Sequence, residues 1–350
     1  MKSLVNISLC FVILCGCIDP INFEIDSNND GNIVIDALIT DREGTSRVIV
    51  SKSIAYSDNS SNPSINKVRN AQVILNAGAD QIIFSENGLG TYIPPSDFKA
   101  IEGIDYKLVI ELSEGEKLES TVQRLVKNAG IDIVNKEYNF RSTLSKNNVE
   151  VSKGGVELFL DTDILEEDNK YYRWQFTGTY QIETKPYLSV VPPPPPCGTA
   201  PPPDCTCCIC WVIEHENLII SDPNFISGKI KNVPIAFIEN SEGRFQEKYH
   251  FNIDQFSITQ EEHEFWKRIK NQKEQNSIFA QQVGEIPSNI HTVDKENSAV
   301  RGYFSVSSIV SASGYLTRED VPERVSVLPE LIGTCLGFEG ATNIKPPYWE

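Results

Sequence analysis

Tyr106-Lys107-Leu108-Val109-Ile110-Glu111-Leu112 alternates: Leu108, Ile110 and Leu112 fall on one side, Lys107, Val109 and Glu111 on the other. A two-residue period is that of a pleated strand with one face in a core and the other in mixed surroundings. Outward from it, residues 33–39, 47–53, 71–76, 81–85, 91–93 and 117–123 are further short runs rich in β-branched and aromatic residues, separated by Gly, Asn, Asp and Ser turns. Seven such strands predict a β-sandwich over residues 33–126, immunoglobulin-like or transthyretin-like. Gly103-Ile104-Asp105-Tyr106 enters its strand as a tyrosine corner does, so Tyr106, and Tyr92 with it, are expected to be structural. The Ser- and Asn-rich stretch 55–68 reads as an exposed loop.

Beyond residue 126 the strands lengthen: 131–140, 156–161, 171–183, 234–239, 249–257 and 302–311 define a second, larger, mainly-β domain over 127–350 with one helix. That helix is predicted over 260–274, where Thr259 and Glu262 form a capping box and Phe265, Trp266 and Ile269 form an apolar stripe. Trp266 on that stripe reads as a core residue. Residues 190–210 interrupt the pattern with prolines at 192–196 and 201–203, followed by Cys205-Thr206-Cys207-Cys208-Ile209-Cys210. Proline runs enforce an extended conformation foreign to a sheet interior, so a stiff projecting loop is expected.

The first residues read as a secretory leader, 1–16: Lys2, then a short apolar run from Leu4 to Leu14 that cannot span a bilayer, which needs about 20 apolar residues. Leu14-Cys15-Gly16-Cys17 resembles a bacterial lipoprotein box with Cys17 as the lipidated residue, and the polar, acidic stretch 17–32 reads as a flexible tether. Acyl chains on Cys17 would hold the protein on a membrane at about 0.8 kcal/mol per buried methylene.

A formal charge of −17 argues against nucleic acid, whose phosphates an acidic surface repels. Cys197, Cys205, Cys207, Cys208, Cys210 and Cys335 are disulfide candidates, an even set suited to an exported protein, with connectivity left open. Four cysteines in six residues could also ligate zinc or copper(I) as thiolates, but structural zinc sites space their ligands more widely, and disulfides are the simpler outcome. No metal ligand set, cofactor fingerprint, nucleophile elbow or other catalytic residue emerges from the sequence, so no cofactor and no enzymatic activity are expected.

Several stretches taken together resemble a known family: the Cys17 anchor, residues 33–40, Asn70-Ala71-Gln72-Val73, Gly90-Thr91-Tyr92, Gly103 with Tyr106 and Leu108, Tyr171-Tyr172-Arg173-Trp174, Cys210-Trp211, Asn289-Ile290, Gly302-Tyr303-Phe304-Ser305 and Pro346-Pro347-Tyr348-Trp349. Their order and spacing resemble the Bacteroidota lipoproteins called domain of unknown function 4249. The resemblance implies a surface-exposed outer-membrane lipoprotein that serves as accessory to a TonB-dependent receptor barrel in nutrient capture or gating. It also implies a Cys210–Cys335 disulfide, although the proline and cysteine expansion at 192–210 departs from the family pattern. A free-standing surface binder or adhesin is the alternative, and an extracytoplasmic hydrolase ranks third.

Overall fold

Tyr106, Leu108 and Ile110 are each 2% exposed or less, so the alternation that predicts a half-buried strand places those three side chains in a core. A computed structural model describes residues 32–53, 66–145, 147, 149–164, 170–193, 195, 197–198, 200–201, 204–215, 218–222, 228–274, 286–293, 300–328 and 331–349. The leader, Cys17, its tether up to residue 31 and most of the 55–68 loop lie outside the described residues. The strands run in the order β1 Ile33–Thr40, β2 Arg47–Lys52, β3 Gln72–Ala77, β4 Asp80–Glu86, β5 Thr91–Ile93, β6 Asp105–Glu111, β7 Lys117–Ser120, β8 Gln123–Arg124, β9 Ile131–Leu144 and β10 Glu150–Asp163. There follow β11 Tyr172–Glu183, β12 Ile209–His215, β13 Ile219–Ile220, β14 Lys229–Glu239, β15 Tyr249–Ser257, helix α1 Gln260–Glu274, β16 Ile290–Thr292, β17 Arg301–Ser307, β18 Ile309–Leu316 and β19 Ala341–Thr342. The chain is mainly β, as the periodicity predicts, with one α-helix among the described residues.

The first sheet is a ten-stranded ladder, β16-β7-β6-β3-β4-β5-β2-β1-β17, with β8 beside β6. It bends at β4, whose first residues pair with β3 and whose last pair with β5, so inward side chains such as Val48, Val50, Val73, Leu75, Leu108 and Phe304 share one core. The sheet nearly closes on itself. Between its end strands the Asn289 side chain takes the place of a ladder: its amide donates to the Phe304 carbonyl and accepts from the Phe304 amide, both at 2.8 Å. Tyr106 is the expected corner, its hydroxyl accepting from Ile101 N–H at 2.7 Å, and the Tyr92 hydroxyl likewise ties Val68 and Ala71.

Two strands of this sheet come from far along the chain. β1 pairs in parallel with β17, and β16 pairs with β7, so the sheet is not confined to residues 33–126 and a division in sequence order does not follow the sheets. Gly302 makes the parallel contact possible: at φ +102° its Cα approaches the Ile35 carbonyl so closely that a Cβ would land on that oxygen.

The remaining strands form a three-stranded sheet, β14-β10-β9, and a six-stranded sheet, β18-β15-β11-β12-β19 with β13 beside β11. Val156, Leu158 and Leu160 of the smaller sheet pack against Trp174, Phe176, Phe251 and Ile253 of the larger. Pro234 sits within β14 because β14 is an edge strand and the ladder shifts register at Leu158/Phe159. The run expected as a single strand, 302–311, breaks at Ser308 and changes sheet, with β17 serving the ten-stranded sheet and β18 the six-stranded one. Around that crossing Asn128 donates to the Gln255 and Ser308 carbonyls, and the buried Gln255 amide bonds Trp174, Thr162 and Gly130.

Candidate functional site

β11 alternates about its own plane: Tyr172, Trp174 and Phe176 face the second core, which sends Arg173 out of the opposite face. Across the ladder its partner is Phe256 of β15, and its guanidinium carbon sits 4.2 Å from the Phe256 ring centre and 4.9 Å from that of Trp266 on α1. Such cation–π contacts hold the flat group in place without using its N–H donors. Arg173 Nε is out of solvent with no hydrogen-bond partner, and no acceptor among the described residues meets the other donors. Burial pushes its pKa down, opposed by attraction to Glu262, Asp36 and Asp254, none of which forms an ion pair with it. An arginine stays protonated even so.

α1 brings the second buried charge. Thr259 caps it as predicted, its hydroxyl accepting from Glu262 N–H at 3.2 Å. The reciprocal half of the capping box is overruled. Glu262 is 1% exposed and turns its carboxylate inward, where it accepts from Ser305 Oγ at 2.8 Å and from Trp266 Nε1 at 3.0 Å. In the parallel β1–β17 ladder Phe304 and Val306 point to the first core, which leaves Ser305 and Ser307 facing the helix. Ser305 gives its proton to Glu262 and so accepts from Ser307, 2.9 Å away. Burial raises the Glu262 pKa, while Arg173, Trp266 and Ser305 oppose the rise.

Between α1, the outer face of β1 and β17, and Arg173 lies a cavity of about 330 Å³. Its walls include Val34, Leu38, Phe265, Ile269 and Ile286, and its charged lining is Arg47, Arg173, Arg301 and Asp36. Its volume is at the lower end of the ~300–1,000 Å³ typical of small-molecule sites. Trp266 is thus half-buried and lines a cavity, where the stripe alone predicts plain core. The sequence does not mark Arg173 and Glu262 as site residues, although a charged residue inside an aromatic strand is a signal for the first.

The six candidate cysteines are paired Cys197–Cys207, Cys205–Cys208 and Cys210–Cys335. They correct the expected projecting loop: Cys207 and Cys210 are fully buried against the second core, and β12 begins at Ile209, inside the stretch assigned to the loop. What stands out is the approach to the prolines, where Leu188, Val190 and Val191 are exposed. The described residues contain no helix long and apolar enough to cross a membrane.

This is a mainly-β chain with a disulfide-stapled second core and a cavity where helix, first sheet and second sheet meet. Residues 18–313 match the family model "Domain of unknown function (DUF4249)", and the chain belongs to that family. Comparison with curated proteins and with solved structures found no match.

Proposed function

We propose that this protein is a non-enzymatic binding protein of the bacterial envelope, lipidated at Cys17 on the outer membrane at the cell surface, that works beside a TonB-dependent receptor barrel in capturing or gating a nutrient. The observation that carries the binding part is the cavity, whose cationic group is clamped by two rings and left with free donors. Proton transfer calls for a group within hydrogen-bond reach of substrate. Here the buried carboxylate, Glu262, already gives its oxygens to Ser305 and Trp266. Family membership and the Leu14-Cys15-Gly16-Cys17 box support the envelope part.

Metabolic labelling with a clickable fatty acid tests the anchor: the protein should take up label, and Cys17→Ala should abolish it. Native detergent extraction tests the partnership, with a barrel protein expected to co-purify. An unlabelled protein found free in the medium would overturn the anchored reading, and extraction of the protein alone would overturn the receptor role.

A free-standing surface binder is the second reading, favoured by Leu188, Val190 and Val191 exposed beside Pro192 and Pro193. Replacing those three residues by serine should then abolish surface attachment, and unchanged attachment would dismiss it.

A further inference from the structure

The charged groups about the cavity differ in how they are met. Arg47, Arg173 and Arg301 line it together with Asp36, and Glu262, outside the lining, attracts Arg173. Arg47 and Asp36 approach each other to 4.0 Å at the half-open rim. Arg173 forms no ion pair with either acid, and its Nε is out of solvent with no hydrogen-bond partner. Leaving a guanidinium N–H out of water without an acceptor is costly, and a planar fork of donors is matched best by the two oxygens of a carboxylate. The wall beside it is apolar and aromatic, so it suits a ligand whose remaining body is hydrocarbon.

We propose that this cavity binds a small carboxylate with an apolar body, the carboxylate taken by the guanidinium of Arg173 and the body lying against Phe265, Ile269 and Ile286. The inference names the ligand class for the binding reading above and rests on it, but it is independent of the anchor and of the receptor barrel. Arg173 selects for the negative charge, and the volume selects for size.

The test is calorimetric titration of the full chain in lipid nanodiscs, with empty nanodiscs as blank. Hexanoate and 3-phenylpropanoate are the probes, and hexanamide and 3-phenylpropylamine are their neutral and cationic counterparts. The acids should bind more tightly than the amide by roughly 10- to 100-fold, the range set by a hydrogen-bonded charge, and the amine should not bind. Arg173→Met should erase the preference for acid over amide. Ile269→Trp, which fills the cavity and keeps the arginine, should remove binding of both. Equal affinity for acid and amide, undiminished acid binding in either variant, or no binding of either acid at millimolar concentration would each overturn the proposal. Should Arg173→Met fail to fold by thermal melting, Ile269→Trp decides alone. Acid binding by a protein that extracts no barrel would sink the receptor role and leave this site standing; a co-purified barrel with no acid binding would do the reverse.

Discussion

The six-stranded sheet carries an arginine against each face, and the two are treated in opposite ways. On the inner face Arg244 is fully engaged: Nε and Nη2 grip Glu214 at 3.0 and 2.6 Å, Nη1 meets Ser241 at 2.9 Å, and the group lies 5.3 Å from the Tyr180 ring. Tyr249 adds a hydrogen bond to the same carboxylate at 2.9 Å. On the outer face Arg173 has two rings and no acceptor. Both are arginines stacked on aromatic rings in one protein, so residue type does not separate them. The difference lies in whether the fold supplies the matching oxygens. Where it does, the group is structural; where it withholds them beside a cavity, the group is set for a ligand.

The sharpest way to break this contrast is to remove each guanidinium in turn and measure stability. Arg244→Met leaves Glu214 partly buried without its partner and should cost about 3 kcal/mol, at the low end for a broken buried pair, read as a lowered denaturation midpoint. Arg173→Met removes a charge that has no hydrogen bond to lose, and should change stability by no more than about 1 kcal/mol in either direction. Equal losses in the two variants would erase the distinction.

A pH series sharpens it further through Glu262. Its pKa in the folded protein is raised above the ordinary 4.5 by burial. The folded state therefore holds its proton more tightly than the unfolded chain, and the associated stability is full below pH 4.5 and lost as pH rises through the folded value. Glu262→Gln should flatten that part of the stability profile. A profile identical to that of the parent protein would show the carboxylate to be indifferent to its surroundings.

The smallest effect is expected farther along the outer face. His250 stacks on Tyr348 at 4.2 Å, and Thr179 bonds the Tyr348 hydroxyl at 3.0 Å, so residues near the described C-terminal boundary cover this part of the sheet. Burial, with Lys248 adding to it, lowers the His250 pKa below 6.5. The sign is the reverse of Glu262: the neutral ring's contribution is full above pH 6.5 and lost as pH falls through the folded value. Trp349, which packs on Tyr315 beside it, should report a small change in emission on acidification, absent in His250→Phe.

Most strands were legible because their alternation records which face is buried; β5 and β15 run over the residues predicted for them. β12 was not, because prolines and clustered cysteines just before it are signals for a loop, while its burial depends on Cys335, distant in sequence. The break at Ser308 has no Gly or Pro to mark it. It is set by Asn128 and Ser257, which reach the Ser308 carbonyl from other elements. The site was half legible. Thr259 and Glu262 announce a helix start, but nothing local says that the glutamate will meet Ser305 and turn away from its own cap. Arg173 stands between Tyr172 and Trp174, and its solitary charge becomes informative only when Phe256 and Trp266 are known to flank it.

The return of β16 and β17 to the first sheet has a consequence for how the molecule comes into being. Ile33 to Arg124 emerge from the ribosome early, yet the edge of β1 and the outer edge of β7 stay unsatisfied until residues 290–307 have been synthesised. Open strand edges invite wrong partners, and long-range parallel pairing is slow. The first-made half must therefore wait, unfinished, for the last-made segments, and both halves mature together rather than one after the other.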